Sequence, residues 1–334
     1  MMRILSGDLP RSRVLAILLI IIAIGLVAAP LVFPGARSLN VAAKVAVFVL
    51  LVASYDLLLG YTGIVSFAHT MFFGIGGYGI GIAAARLGAT WGNLALGLVA
   101  SLALTLAIAL VIGLLSLRVR TIFFAMITLA VAAFFQILAS QLSDFTGGED
   151  GLNFRLPALL QNRLVCYYLV LALSAALFLV LLRIVNSPFG RVLQSIRENE
   201  FRAEALGYRT VLYRTTANCL GALFAALAGA LYALWLRYTG PDTTLSFAIM
   251  IDLLLMVVIG GMGTLYGAVI GATLFVVAQN YLQDLMQLAS GATAGIPLLP
   301  SLLHPDRWLL WLGVLFVVCV YWFPTGIVGR LRRR

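Results

Sequence analysis

The chain has 334 residues, 63% of them hydrophobic and only 10% charged, against roughly 25% charged in an ordinary soluble domain. A soluble globular protein is therefore excluded, and a crossing of about 20 residues for a ~30 Å hydrocarbon core leaves room for about eight to ten helices with their loops. The net charge of +10 is almost wholly arginine, Lys44 being the one lysine; in so apolar a chain it reports loop orientation, and no nucleic-acid partner is expected.

Arg3, Arg11 and Arg13 precede the apolar run 14–33. A basic start before an apolar stretch also describes a cleaved signal peptide. This run is long enough for a full span, however, and a cut after Ala29 would leave Pro30 at the new terminus. It reads as a first span starting in the cytoplasm. Further apolar runs follow at 41–60, 70–85, 93–117, 121–142, 164–185, 215–236, 245–262, 264–283 and 307–323, ten spans in all. A re-entrant glycine-rich run would make the count nine or eleven. With the N-terminus inside, the inner segments hold Arg118, Arg120, the arginines of 186–214 and the tail Arg330, Arg332, Arg333 and Arg334. The outer segments hold Arg37, Arg86, Arg155, Arg163, Arg237 and Arg307, mostly one per loop. This bias puts 186–214 and both termini in the cytoplasm, and the acidic connection 143–163 outside. The expected fold is an all-α polytopic bundle, a single transmembrane domain over 1–334.

Small residues recur at helical spacing in Gly77-xxx-Gly81, Gly221-xxx-Ala225-xxx-Gly229 and Gly263-xxx-Gly267-xxx-Gly271. In lipid, close backbone approach is a main source of helix attraction, so these are expected packing faces. The stretch Leu57–Gly81 cannot be an ordinary span: glycines at 60, 63, 74, 76, 77, 79 and 81 interleave with Tyr61, Ser66, His69 and Tyr78. Broken helix is tolerated in a membrane only where protein or a water-filled cavity satisfies the freed backbone, which puts this stretch in the bundle interior. Asp-Leu-Leu-Leu occurs at 56–59 and again at 252–255, each time before a glycine cluster, Gly60 and Gly63 in one case, Gly260, Gly261 and Gly263 in the other. Asp56 and Asp252 are acids inside apolar runs. They either face a polar pathway or sit near helix ends where water or a backbone donor meets them. Lys44 and Gln136 are lesser polar points within spans.

Residues 186–214 form the one long charged segment. Ser187-Pro188 is a helix start, and Phe189, Val192, Leu193 and Ile196 fall on one face of that helix. Asn199 can cap a second short helix and Gly207 can end it in the left-handed region. Two helices with an apolar and a charged face have the form of a surface that another protein grips; a solvated loop merely held inside by its arginines is the plainer alternative.

Nothing in the chain reads as an enzyme. His69 and His304 have no companions at metal spacing, Cys166, Cys219 and Cys319 lie singly in apolar runs, and no GxxxxGK[ST] phosphate loop is present. No cofactor is expected on this chain, and any ATP hydrolysis must come from another subunit.

Five runs resemble one family. SPFGRVLQSIRENEFRAEALGY is similar to the cytoplasmic coupling loop of the permeases of branched-chain amino-acid ABC importers. Gly60, Tyr61, Gly63, Ser66, His69, Phe73, Gly74, Gly76 and Tyr78 match a glycine–tyrosine–histidine run of the same family. Thr146–Leu152 resembles its TGGxxGL external loop, Leu255–Thr264 its LMVVxGGxGs turn, and Phe323–Gly329 its closing FPxGIxG. Their order points to the LivM-type branch. The resemblance implies a permease that pairs with a second permease subunit, two ABC ATPases holding ATP and Mg, and an external solute-binding protein, in a bacterial-type inner membrane. It assigns ATPase coupling to Arg197, Glu198, Asn199, Glu200, Ala203, Glu204, Ala205, Leu206 and Gly207. Pathway or hinge candidates are Asp56, Gly60, Tyr61, Gly63, Ser66, His69, Gly74, Gly76, Asp252, Gly260, Gly261 and Gly263. Family members usually carry Asn where this chain has Asp56. Urea, amides or other amino acids remain alternative cargoes, and an ion-coupled secondary transporter using Asp56 and Asp252 is the rival of a different class.

Overall fold

A computed structural model describes residues 12–32, 35–115, 121–292, 304–323 and 326–332. The helices are α1 (Arg13–Val32), α2 (Ala36–Thr62), α3 (His69–Ile82, continued by a π-helical turn, Ala83–Leu87), α4 (Trp91–Leu115) and α5 (Thr121–Gln141). Two single turns, α6 (Ser143–Thr146) and α7 (Ala158–Gln161), lead to α8 (Arg163–Val185), α9 (Pro188–Glu198), α10 (Glu200–Ala205) and α11 (Thr210–Leu236). The turn α12 (Pro241–Thr244) precedes α13 (Phe247–Gly260), α14 (Leu265–Ala292), α15 (Trp308–Trp322) and α16 (Gly326–Arg332). Among the described residues nine helical stretches are long and apolar enough to cross a membrane. The shorter α15 occupies the tenth apolar run. The chain is a polytopic all-α membrane protein. Arg3, Arg11, Arg118, Arg120, Arg333 and Arg334, both termini, and Pro324 and Thr325 of the closing motif lie outside the described residues.

α2 is the axis. Its apolar residues are spread over every side, with Lys44, Ser54 and Asp56 as isolated polar points, and almost every residue from Val41 to Thr62 is buried, as expected of a helix with no continuous polar face. α11, α14 and α8 surround it, and α3 lies against α11. At the perimeter α1 turns Ile17, Ile20, Ile21 and Ile24 outward, as a lipid-facing helix does. α14 runs nine residues beyond the apolar stretch that forecast it, because Asp284 and Gln287 are polar but compatible with a helix.

The forecast stripes on α11 and α14 are packing faces: Gly221 and Gly229 seat on α2 and α3, and Gly267 and Gly271 on the end of α13. Gly77 meets Thr239 of a short strand and also the Gly229 carbonyl of α11, Gly81 meets Thr239 and Phe154, and Gly263 lies in the turn before α14. Among the tightest approaches between spans are Gly76 against the Ala226 carbonyl, Gly229 against that of Phe73, Gly260 against that of Gly267 and Gly271 against that of Met256. A Cβ at any of these four would overlap backbone.

The loops gather at two opposite ends of the bundle. At one, β1 (Leu152–Asn153) pairs antiparallel with β2 (Tyr238–Thr239), Leu152 opposite Thr239. The Tyr238 hydroxyl donates to the Asp150 carbonyl at 3.2 Å, and Arg237 donates to the Leu160 and Gln161 carbonyls at 3.1 and 2.8 Å. Gly147, Gly148 and Gly151 all take positive φ here, which is why the TGGEDGL run needs its glycines. The other end carries α9–α10, the α2–α3 connection, the α13–α14 turn and α16.

Candidate functional site: a junction beneath the charged loop

α2 ends at Gly63, which adopts φ +73° and returns its amide to the Leu58 carbonyl. Residues 63–68 then run back into the bundle without regular structure, so that His69, the first residue of α3, meets Ser54, with Nε2 2.8 Å from Oγ. Ser54 lies eight residues before Thr62, so the chain re-enters by about 12 Å at 1.5 Å per residue. The interior break read from Leu57–Gly81 is therefore present, at 63–68. Gly74 and Gly76 do not interrupt the helix: they sit within α3, against Leu245 and Ala226. The freed backbone is met by side chains, as a membrane interior requires. The Phe67 amide donates to Thr128 Oγ1 at 3.0 Å and the Ala68 amide to Ser66 Oγ at 3.4 Å. His69 is fully buried, its ring 5.1 Å from that of Tyr55, and Tyr61 and Ser66 are buried as well.

Near the end of α2, the buried Asp56 carboxylate accepts the Gly263 amide through Oδ1 at 2.9 Å and Oδ2 at 3.2 Å. Gly263 takes φ +83° and Gly261 φ +113° in the turn between α13 and α14, conformations that favour glycine. Arg197 of α9 donates to the Gly60 carbonyl, and its guanidinium lies where a Gly263 side chain would stand. Gly326 opens α16 against Gly261. Four motifs that are up to 270 residues apart in the chain, from Asp56 to Gly326, thus meet at one point.

Asp252 is elsewhere. It accepts from Gln279 Nε2 at 3.3 Å, and Gln279 accepts from Lys44 at 2.9 Å. Asp56 and Asp252 share no partner, so the two acids form no joint site.

α9 and α10 form as their sequence suggests. Asn199 accepts the Arg202 amide at 2.9 Å and Gly207 takes φ +90°. The apolar face of α9 is a correction: Val192, Leu193 and Ile196 are buried on this chain's own bundle and Phe189 stacks on Tyr213, so that face is closed to a partner. Its apolar residues follow α8 after a two-residue turn, close enough to fold straight back. α10 is fastened from beneath, by Glu200 on Arg214 at 2.5 Å, by Glu204 accepting from Thr210 at 2.8 Å and by buried Ala203. Among the residues that remain outward are Glu198, Ala205, Leu206 and Gly207, together with Phe201 and Arg202. Phe201 is 85% exposed and Leu206 71% exposed. Phe201 was not among the sequence-derived residues; an aromatic set between Glu200 and Arg202 is the signal that could have found it. Among the described residues no group of three or more metal-ligating side chains occurs.

The family model described as branched-chain amino acid transport system / permease component matches residues 37–320, from the start of α2 to the end of α15. The chain belongs to this permease family. The permease is similar to the high-affinity branched-chain amino acid transport system permease protein LivM of Salmonella typhimurium and to that of Escherichia coli. Each is 25% identical over 325 residues, covering 88% of this chain and 71% of the relative. It is also 31% identical over 169 residues to the probable branched-chain amino acid transport permease protein LivM of Methanocaldococcus jannaschii, covering 48% of this chain and 45% of that one. These relatives agree with the LivM-type resemblance. No solved structure matches.

Proposed function

We propose that this permease is the membrane subunit of an ATP-driven importer of branched-chain amino acids, working with a second permease, two ATPases and an external solute-binding protein. The cargo follows the relatives' names; the ATPases follow from the kind of importer that the sequence resembles. The observation that carries the coupling is the bond from Arg197 to the Gly60 carbonyl. It ties the charged loop to the point where α2 breaks, and through Gly263 to the α13–α14 turn. Phe201 and Leu206 are the outward apolar contacts for an ATPase groove, with Arg202 and Glu198 beside them. Movement of α9–α10 on ATP binding would pull directly on the two irregular segments of the bundle. Segments 63–68 and 261–264 are the hinges in this reading, and the loop and both termini face the cytoplasm. Direction comes from the partners' differing affinity for the two states.

The test begins with the complex purified under mild detergent through a tag on this chain. Co-purification of a P-loop ATPase pair and a second permease, with ATP-dependent uptake of leucine in proteoliposomes, is the expected result. Transport by this chain alone, driven by a proton or sodium gradient, would overturn the proposal.

A further inference from the structure

Lys44 is the chain's only lysine, and it lies within the membrane. It stands eight residues into α2, about 12 Å from that end of the helix. Its Nζ donates to Gln279 Oε1 at 2.9 Å, and Gln279 Nε2 donates to Asp252 Oδ2 at 3.3 Å. All three residues are partly exposed. The charges of Lys44 and Asp252 act on each other, yet no direct ion pair joins them. Nearer that end, on the same two helices, Arg37 and Asp284 do pair directly at 2.6 Å. The inner cation and anion are thus held apart by one carboxamide, whose oxygen takes the ammonium and whose nitrogen serves the carboxylate.

An α-amino acid offers the same two functions in the same order: a carboxylate oxygen to accept and, a short rigid distance away, an ammonium to donate. Gln279 has the polarity of that head group without its charges. A plain structural pair would have closed Lys44 onto Asp252, because a charge in the membrane is costly and direct contact with its opposite relieves it best. Gln279, Gln283 and Gln287 follow one another at four-residue spacing along α14, the latter two exposed, giving a polar line from this end of the bundle to the pair.

We infer that Lys44 and Asp252 form a head-group site for a zwitterionic α-amino acid, Lys44 taking the carboxylate, Asp252 the ammonium, and Gln279 being the internal group the cargo displaces. This rests on the reading of the chain as an amino-acid permease and deepens it. Selectivity at this site is for the zwitterion: urea and simple amides carry neither charge.

The test uses the whole complex in proteoliposomes, with [14C]leucine and, separately, urea and acetamide as probes. The variants are the double substitution Lys44→Met/Asp252→Leu and the single Gln279→Ala. The double variant is expected to assemble normally and to lose leucine uptake by at least about tenfold, while Gln279→Ala, which removes the competing internal group, is expected to lower KM. A merely structural ladder gives the opposite pattern: the apolar double variant transports as the parent does, and Gln279→Ala, which strands two charges, is the damaged one. That pattern overturns the site. If the double variant does not assemble, Gln279→Ala decides alone, since a lowered KM there supports the site, and an unchanged KM or a loss of about tenfold or more overturns it. Parent complexes that carry urea or acetamide and no amino acid overturn both the cargo reading and the site, whereas leucine uptake indifferent to every variant overturns the site only.

Discussion

Replacing Asp56 by leucine and by asparagine separates a cap from a charge. The Gly263 amide reaches both carboxylate oxygens, at 2.9 and 3.2 Å, in a place sealed from water. Leucine has a similar shape but accepts nothing, so Asp56→Leu leaves that amide unsatisfied at a cost of about 1–3 kcal/mol, with a charged acceptor at the upper end. A value near 2 kcal/mol is roughly a thirtyfold shift in the folded population. Asparagine keeps one carbonyl oxygen in position, and Asp56→Asn is expected to cost less than about 1 kcal/mol. The measurement is the denaturant midpoint of the purified chain in detergent, paired with leucine uptake by the reconstituted complex with and without a proton uncoupler. Equal damage from asparagine and leucine, or uptake that vanishes in Asp56→Asn and collapses with the uncoupler in the parent, would refute the cap and restore Asp56 as a working acid.

Other outcomes follow from single contacts. Arg197→Ala removes the donor from the Gly60 carbonyl, and should leave the complex assembled and hydrolysing ATP while uptake falls by about tenfold or more, read by comparing phosphate release with leucine accumulation. Phe201→Ser with Leu206→Ser touches nothing in this chain's core, so bundle stability should change by no more than about 0.5 kcal/mol while recovery of the ATPases on the tagged permease drops sharply. Gly76→Val drives a side chain into the Ala226 carbonyl and should abolish the folded bundle, seen as loss of the monodisperse peak in detergent chromatography. Gly207→Val, by contrast, meets open space and only backbone strain at φ +90°, so a loss of about 1–2 kcal/mol is expected, with Gly207→Asn milder in the same unfolding assay.

The helices were legible because apolar length is written locally, and the observed spans fall on the forecast runs to within a few residues except in α14. Asn199 and Gly207 were legible for the same reason, since caps and left-handed turns depend on near neighbours. Contacts between distant segments were not. Nothing in the local pattern says that Asp56 reaches Gly263, that Arg197 reaches Gly60, or that Lys44 and Asp252 share Gln279. The apolar stripe of α9 shows the limit well: periodicity identifies a face that will be buried, but not whether its own chain or another covers it. Glycine density likewise marked the interior of the bundle without saying which glycines break a helix and which let two helices touch.

The reciprocal seating of Gly76 on Ala226 and of Gly229 on Phe73 has a mechanical consequence. Where side chains interlock, a shear can be taken up by changing rotamers; where main chain rests on main chain, no such slack exists. α3 and α11 are therefore expected to move together as one stiff slab. In the proposed mechanism a change of shape would be concentrated at irregular segments such as 63–68 and 261–264, and Arg197 holds the Gly60 carbonyl beside these joints, not on the slab. In the proposed mechanism a push on the charged loop would then be delivered where the bundle is least braced.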